Sequence, residues 1–130
     1  MSYNITLKVN DRLWFFQERS QNIMWCDYSK SGEDQMISLF NQAFDISKTA
    51  GSSVKILANF KSTPRSSKLT RQMRESGKWF NKEGIDVKIA VIGVDSVFTR
   101  VVINTTMTIS RIKSLKLFES KDDALTWLSA

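Results

Sequence analysis

Two polar stretches of the chain carry side chains suited to holding an anionic group. Residues 61–65 follow the apolar segment 54–60, and Asp95 follows the apolar segment 87–94. Lysine and arginine pair with carboxylates and phosphates, and backbone N–H groups at the start of a helix favour the same ligands. The candidate anion-binding or ligand-binding residues are therefore Lys61, Ser62, Thr63, Arg65, Asp95 and Ser96. The alternative is that these residues are ordinary helix caps and solvated loop positions.

The residue types argue against an enzyme and against a resident metal or cofactor. The chain has no histidine, which excludes Ser-His and Cys-His nucleophilic machinery. Its single cysteine, Cys26, lies in an apolar segment, where an inert core thiol is the expected role. Asp122 and Asp123 are adjacent carboxylates, but they occupy the first turn of a predicted helix, where they stabilise its dipole. We expect no catalytic residue, no metal site and no cofactor.

The elements that must position the polar stretches are two buried strands. Residues 54–60 and 87–94 are short apolar runs rich in β-branched residues, which is typical of strands covered by helices on both faces. Parallel strands of this kind place their carboxyl ends at one edge of the sheet, where ligands bind in open α/β folds. We therefore expect the two polar stretches to meet at that edge.

The remaining patterns predict a single domain of 130 residues with an α/β fold. Segments 5–9 and 13–16 predict a hairpin and 23–28 a third strand, although only two of the three need lie in the sheet. The element order is completed by helices at 33–50, 66–82 and 96–112, a strand at 115–118 and a helix after Ser120. Segment 96–112 has β-rich stretches, but a crossover between parallel strands favours a helix. The predicted architecture is a mixed sheet covered by about four helices.

The net charge of +6 is concentrated in the second part of the chain. Residues 1–50 carry five basic and six acidic side chains, whereas 51–130 carry fourteen basic and seven acidic. One side of the predicted helix 66–82 carries five cations: Lys68, Arg71, Arg74, Lys78 and Lys82. This basic surface makes binding of nucleic acid or an anionic surface the alternative function. Trp79 lies only at its margin, so the stripe lacks the aromatic platform that stacks on bases.

Four stretches together resemble the SpoIIAA-like branch of the STAS superfamily, named for sulfate transporters and anti-sigma factor antagonists. They are the strand 54–60 entering a helix through a polar loop, the run Ile-Ala-Val-Ile-Gly-Val at 89–94, the sequence Val-Val-Ile-Asn at 101–104, and the closing Leu-Phe-Glu-Ser-Lys-Asp-Asp-Ala-Leu-Thr-Trp-Leu at 117–128. The resemblance spans nearly the whole chain. It implies a non-enzymatic regulatory or partner-binding domain, with a protein or a small anionic or lipid ligand as the partner.

In phospho-regulated members of that superfamily, a D-S-[ST]-G-like motif opens the helix after the second central strand, and its serine is phosphorylated. Here residues 60–67 read Phe-Lys-Ser-Thr-Pro-Arg-Ser-Ser, with neither the aspartate nor the glycine. The resemblance leaves Ser66 and Ser67 as phosphorylation candidates, and helix capping is the simpler role for either hydroxyl.

Two further expectations concern self-association and location. On the predicted helix 96–112, Ile103 and Met107 point away from the main apolar face, which makes them candidates for a homodimer interface or a lipid-accepting groove. No apolar run reaches the length of a transmembrane helix, and residues 1–6 lack the pattern of a secretory signal. A single cysteine suits a reducing compartment, so a cytoplasmic location is expected.

Overall fold

Six β-strands pair in chain order to form one mixed sheet. The computed structural model describes residues 4–94 and 115–130. Within them the strands are β1 (Asn4–Asn10), β2 (Leu13–Glu18), β3 (Gln21–Asp27), β4 (Ser53–Asn59), β5 (Asp86–Ile92) and β6 (Leu115–Leu117). The helices are α1 (Glu33–Ser47), α2 (Ser67–Lys82) and α3 (Lys121–Ser129).

Strands β1, β2 and β3 form an antiparallel meander, and β3, β4, β5 and β6 run parallel. The predicted α/β class, the mixed sheet and the N-terminal hairpin are confirmed. The sequence left open whether all three N-terminal segments belong to the sheet, and the structure includes all three. The predicted fourth helix, at 96–112, lies outside the described residues.

The sheet carries an apolar core on each face because its central strands are apolar at consecutive positions. In β3, Met24 and Cys26 face one core, and Ile23 and Trp25 face the other. The first core is covered by α1 and α2 through Met36, Leu39, Ala43, Leu69 and Phe80. The second is covered by α3 through Ala124, Leu125 and Leu128. Burial on both faces is what continuous apolar runs such as Ile23 to Cys26 predict.

The helix boundaries follow local capping chemistry. Helix α2 begins after Ser66, whose hydroxyl accepts a hydrogen bond from the Leu69 N–H at 3.0 Å, as its serine cap predicts. Helix α1 begins at Glu33 as predicted but ends at Ser47, three residues before the predicted end at position 50. Thr49 and Ala50 donate to carbonyls three residues back, so the last turn tightens there and the α-helical spacing stops.

No helix in residues 4–94 and 115–130 combines the length and the apolar character needed to cross a bilayer.

Candidate functional site at the carboxyl edge of the sheet

Strands β3, β4 and β5 end side by side at one edge of the sheet. The Tyr28 N–H donates to the Asn59 carbonyl at 2.9 Å, and the Phe60 N–H donates to the Ile92 carbonyl at 2.9 Å. Just beyond the strands, the rings of Tyr28 and Phe60 stack with their centres 4.5 Å apart. The loops that leave β3 and β4 are therefore in direct contact, and β5 ends beside them.

Gly93 allows the exits of β4 and β5 to come this close. Its φ of +80° lies in the left-handed region that favours glycine. A Cβ at this position would lie 2.5 Å from Asn59 Oδ1 and 2.7 Å from the Lys61 N. The glycine that ends the apolar run at 87–94 thus has a structural role at the edge of the candidate site.

Two side chains at the strand ends fix the loops by hydrogen bonds. Asp27 Oδ1 accepts from the Ser29 N–H at 3.1 Å and from Asn59 Nδ2 at 3.3 Å. Asn59 Oδ1 in turn accepts from the Lys61 N–H at 3.1 Å. Asp27 Oδ1 therefore joins the β3 and β4 exits.

Arg12, in the turn between β1 and β2, holds the loop that follows β3. Its guanidinium Nη1 donates to the Asp27 carbonyl at 3.0 Å, the Ser29 carbonyl at 2.8 Å and the Ser31 hydroxyl at 3.0 Å. Because three acceptors converge on one guanidinium nitrogen, these bonds fix the loop that carries Lys30. Arg12 acts here as a positioning residue.

Lys30 and Lys61 form the charged part of this edge, and we refer to them as the lysine rim. The Lys30 N–H donates to the Lys61 carbonyl at 3.0 Å, so the two backbones are adjacent. Both side chains are exposed. Neither ammonium has an ion-pair partner among residues 4–94 and 115–130. A bound anion would supply the counter-charge that these two lysines lack within the described part of the chain.

The positive φ at Lys30 and at Ser62, the residue after Lys61, indicates that the two loops are held in specific conformations. Lys30 has a φ of +57° and Ser62 a φ of +58°, a region that non-glycine residues seldom adopt. Such conformations persist where the surrounding contacts impose them, and they are frequent at binding sites. At Lys30 those contacts are the bonds from Arg12 to Ser29 and Ser31.

The structure describes three of the other predicted anion-binding residues: Ser62, Thr63 and Arg65. Ser62 and Arg65 are exposed, whereas the Thr63 hydroxyl is used within the loop, donating to the Phe60 carbonyl at 2.8 Å. Asp95 and Ser96 lie outside the described residues. Lys61 therefore stands at the exit of β4 in contact with the β3 loop, and Thr63 has a local structural bond.

Ser66 is engaged at the start of α2. Besides capping the Leu69 N–H, its hydroxyl donates to Glu33 Oε2 at 2.6 Å and thereby joins the first turns of α1 and α2. Ser67 is exposed in the first turn of α2. Capping accounts for the hydroxyl at position 66, and phosphorylation of either serine stays a prediction.

The one cysteine and its neighbour Tyr28 are buried on the α1–α2 side of the sheet. Burial raises the pKa of Cys26 to about 12, so the thiol stays protonated and unreactive at neutral pH. Burial, together with the nearby Cys26, raises the pKa of the Tyr28 hydroxyl well above its ordinary value. Neither group is available for proton transfer at the rim.

A second group of cations lies on the face of the sheet that α3 covers. These cations bind the carbonyl groups at the C-terminal end of α3. Lys88 Nζ donates to the Trp127 carbonyl at 2.5 Å, and Lys55 Nζ donates to the Leu128 carbonyl at 2.6 Å and to Gln21 Oε1. These carbonyls lack intrahelical partners, and cations at a helix C-terminus also stabilise its dipole. Lys55 and Lys88 are directly paired positions of β4 and β5, so two like charges are held side by side by one helix end.

An open groove of about 410 Å³ lies between the β1–β2 turn and the first half of α1. Its walls include Asn10, Arg12, Asp34 and Gln42. Asn10 Nδ2 donates to Gln42 Oε1 at 2.9 Å, and Arg12 is bonded to the β3 loop, so two of its polar walls are engaged within the chain. Part of the hydrogen-bonding capacity of the groove is therefore already used within the chain.

Lys30 and Arg12 are the residues that the sequence interpretation missed. Lys30 could have been identified from its position in the polar stretch Ser29–Gly32, which directly follows the third predicted strand. Because the pairing of that strand was left open, nothing linked its exit to the exit of β4. Arg12 reads as a turn residue, and its reach across to residues 27–31 depends on the antiparallel pairing of β2 with β3.

Comparison with known proteins gives no match: no family profile, no curated protein and no solved structure is similar to this chain.

Proposed function

We propose that the chain is a non-enzymatic binding domain whose lysine rim takes an anionic group, a carboxylate or a phosphate, from a protein partner or a small molecule. The observation that carries the proposal is the backbone hydrogen bond of 3.0 Å that places Lys30 beside Lys61 at the carboxyl edge of the sheet. Charge-assisted hydrogen bonds from two such ammonium groups favour an anion over a neutral ligand.

The hydrogen bonds of the nearby carboxylates support an anion as the ligand. Asp27 is bonded to Ser29 and Asn59, and Glu33 accepts the Ser66 hydroxyl. Each of these acids thus has a hydrogen-bond partner near its own strand or helix end. The exposed rim cations are left with solvent or an added anion as their counter-charge.

The chemistry of the rim is compatible with a binding role. Cys26 is held as a thiol by burial. Among residues 4–94 and 115–130, no three His, Cys, Asp or Glu side chains are grouped closely enough to hold a metal ion. What the rim offers chemically is charge and hydrogen-bond donors.

Kinship with the SpoIIAA-like branch of the STAS superfamily is part of the proposal. Its support is the set of four resembling stretches and an α/β architecture that is compatible with it. A cytoplasmic regulatory role follows from that kinship and from the single buried cysteine. The homodimer and lipid alternatives depend on Ile103 and Met107, which lie outside the described residues.

Titration with inorganic phosphate and with acetate, at constant ionic strength, tests the proposal. We expect saturable binding of at least one anion and a loss of about tenfold in affinity in Lys30→Ala/Lys61→Ala, since two exposed charge pairs are worth about 0.7 kcal/mol each. The matched control is Lys8→Ala/Lys116→Ala, which removes two exposed lysines elsewhere and should keep wild-type affinity. Equal losses in the two variants would contradict the proposal.

A further inference from the structure

The outer face of α2 carries a row of positively charged side chains that are separate from the lysine rim. Lys68, Arg71, Lys78 and Lys82 are exposed and Arg74 is half-buried. At about 100° per residue, the five cations fall within an arc of about 120° along a helix about 24 Å long. The opposite side of α2 contributes Leu69 and Phe80 to the core, so the basic side faces solvent.

Little of this charge is neutralised by the chain itself. Glu75 is the one acidic residue of α2, and it pairs with Lys78 at 3.4 Å. Lys68, Arg71 and Lys82 have no ion-pair partner among the described residues. An extended row of cations is complementary to a ligand with regularly repeated negative charges rather than to a single anion.

The side chains around the row favour a duplex over a single strand. The Trp79 ring packs edge-on against Phe44 and Phe80, with ring centres 5.6 and 5.4 Å away. Both contacts hold the half-buried indole against the core. Single-strand binding relies on exposed aromatic rings that stack on bases, and the basic side of α2 presents none.

The same contacts disfavour a membrane surface as the partner. A helix that binds in the bilayer interface inserts its apolar face among the lipids. In α2 the apolar residues Leu69 and Phe80 are already buried against the sheet. The exposed side offers charge without an inserting residue, which suits a phosphate backbone at a solvated surface.

We infer that the outer face of α2 binds the phosphate backbone of duplex nucleic acid in a salt-dependent and sequence-independent manner. Exposed lysine and arginine side chains contact phosphates and position the helix along the duplex. Because backbone contacts carry no sequence information, unrelated duplexes bind with similar affinity.

The test is retention of synthetic duplex DNA and duplex RNA at about 50 mM and about 200 mM salt. We expect at least one duplex to bind, with affinity falling steeply as salt rises. Lys68→Ala/Arg71→Ala should lower affinity about tenfold or more and reduce the slope of log affinity against log salt by about 1.8, about 0.9 for each lost phosphate contact. Lys8→Ala/Lys116→Ala removes the same number of charges elsewhere and should behave as the wild type.

Three results would overturn the inference: no retention of either duplex at low salt, equal effects of the two double variants, or retention that depends strongly on base sequence. Vesicles containing phosphatidylserine serve as a competing partner. If they bind through Lys68 and Arg71 while both duplexes fail, the surface is assigned to membranes instead. The variants leave Lys30 and Lys61 unchanged, so failure here is distinct from failure of anion binding at the rim.

Discussion

Ser66 shows how one side chain can serve two elements at once. Its hydroxyl accepts from the Leu69 N–H at 3.0 Å and donates to Glu33 Oε2 at 2.6 Å. The first bond satisfies a backbone donor at the start of α2, and the second joins that helix to α1. A phosphate on Ser66 would replace the hydroxyl proton and place negative charge beside the Glu33 carboxylate.

Replacing this hydroxyl should therefore cost stability. Ser66→Ala removes the cap, and we expect the free energy of unfolding to fall by about 1 kcal/mol. Ser67→Ala is the matched control, because Ser67 is exposed in the same first turn and should change stability by less than about 0.5 kcal/mol. Urea unfolding of both variants is the measurement, and equal changes would argue against the capping role.

At the scale of elements, the close approach of the β4 and β5 exits depends on a missing Cβ. Gly93 and Gly84 both have positive φ, +80° and +69°. A Cβ at Gly93 would clash with Asn59 Oδ1 and the Lys61 N, whereas a Cβ at Gly84 would have no heavy atom within 4 Å. The two glycines therefore separate the cost of a left-handed backbone from the cost of a steric clash.

Gly84→Ala should lower the free energy of unfolding by about 1 kcal/mol, the cost of the left-handed conformation. Gly93→Ala should lower it by at least about 1 kcal/mol more, because the β4 exit must also move. Denaturant unfolding measures both losses. Equal losses would mean that the exits of β4 and β5 are not as close as the structure has them.

The contact of Lys55 with the end of α3 predicts how the free energy of unfolding depends on pH. Burial lowers the pKa of Lys55 and the charge of Lys88 lowers it further, while Asp86 raises it. The unfolded chain then holds this proton more tightly than the folded chain. The stability contributed by Lys55 should therefore rise as pH increases towards the ordinary lysine pKa of about 10.4.

Lys55→Met removes this titration and keeps a long side chain. The free energy of unfolding of the wild type, relative to this variant, should increase as the pH rises towards about 10.4. Lys116→Met provides the control, since Lys116 is exposed on the same face. A difference that stays constant or falls with pH would contradict the burial of Lys55 against the helix end.

At the scale of the whole molecule, the sequence predicted the layers better than the site. Continuous apolar runs such as 54–60 and 87–94 define buried strands, and the caps at Ser66 and Ser120 define helix starts, because both depend on neighbouring residues. The pairing of β3 with β4 depends on contacts between distant segments. Without it, Lys30 could not be linked to Lys61, and Asp27 could not be linked to Asn59.

The anion-binding claim depends on the contact between these two loops. The most direct measurement is the backbone amide spectrum of the wild-type chain during titration with inorganic phosphate. We expect saturable shifts at the amides of Lys30, Lys61 and Ser62, and the loss of these shifts in Lys30→Ala/Lys61→Ala. Shifts that fall elsewhere, or that persist in this variant, would contradict anion binding at the rim.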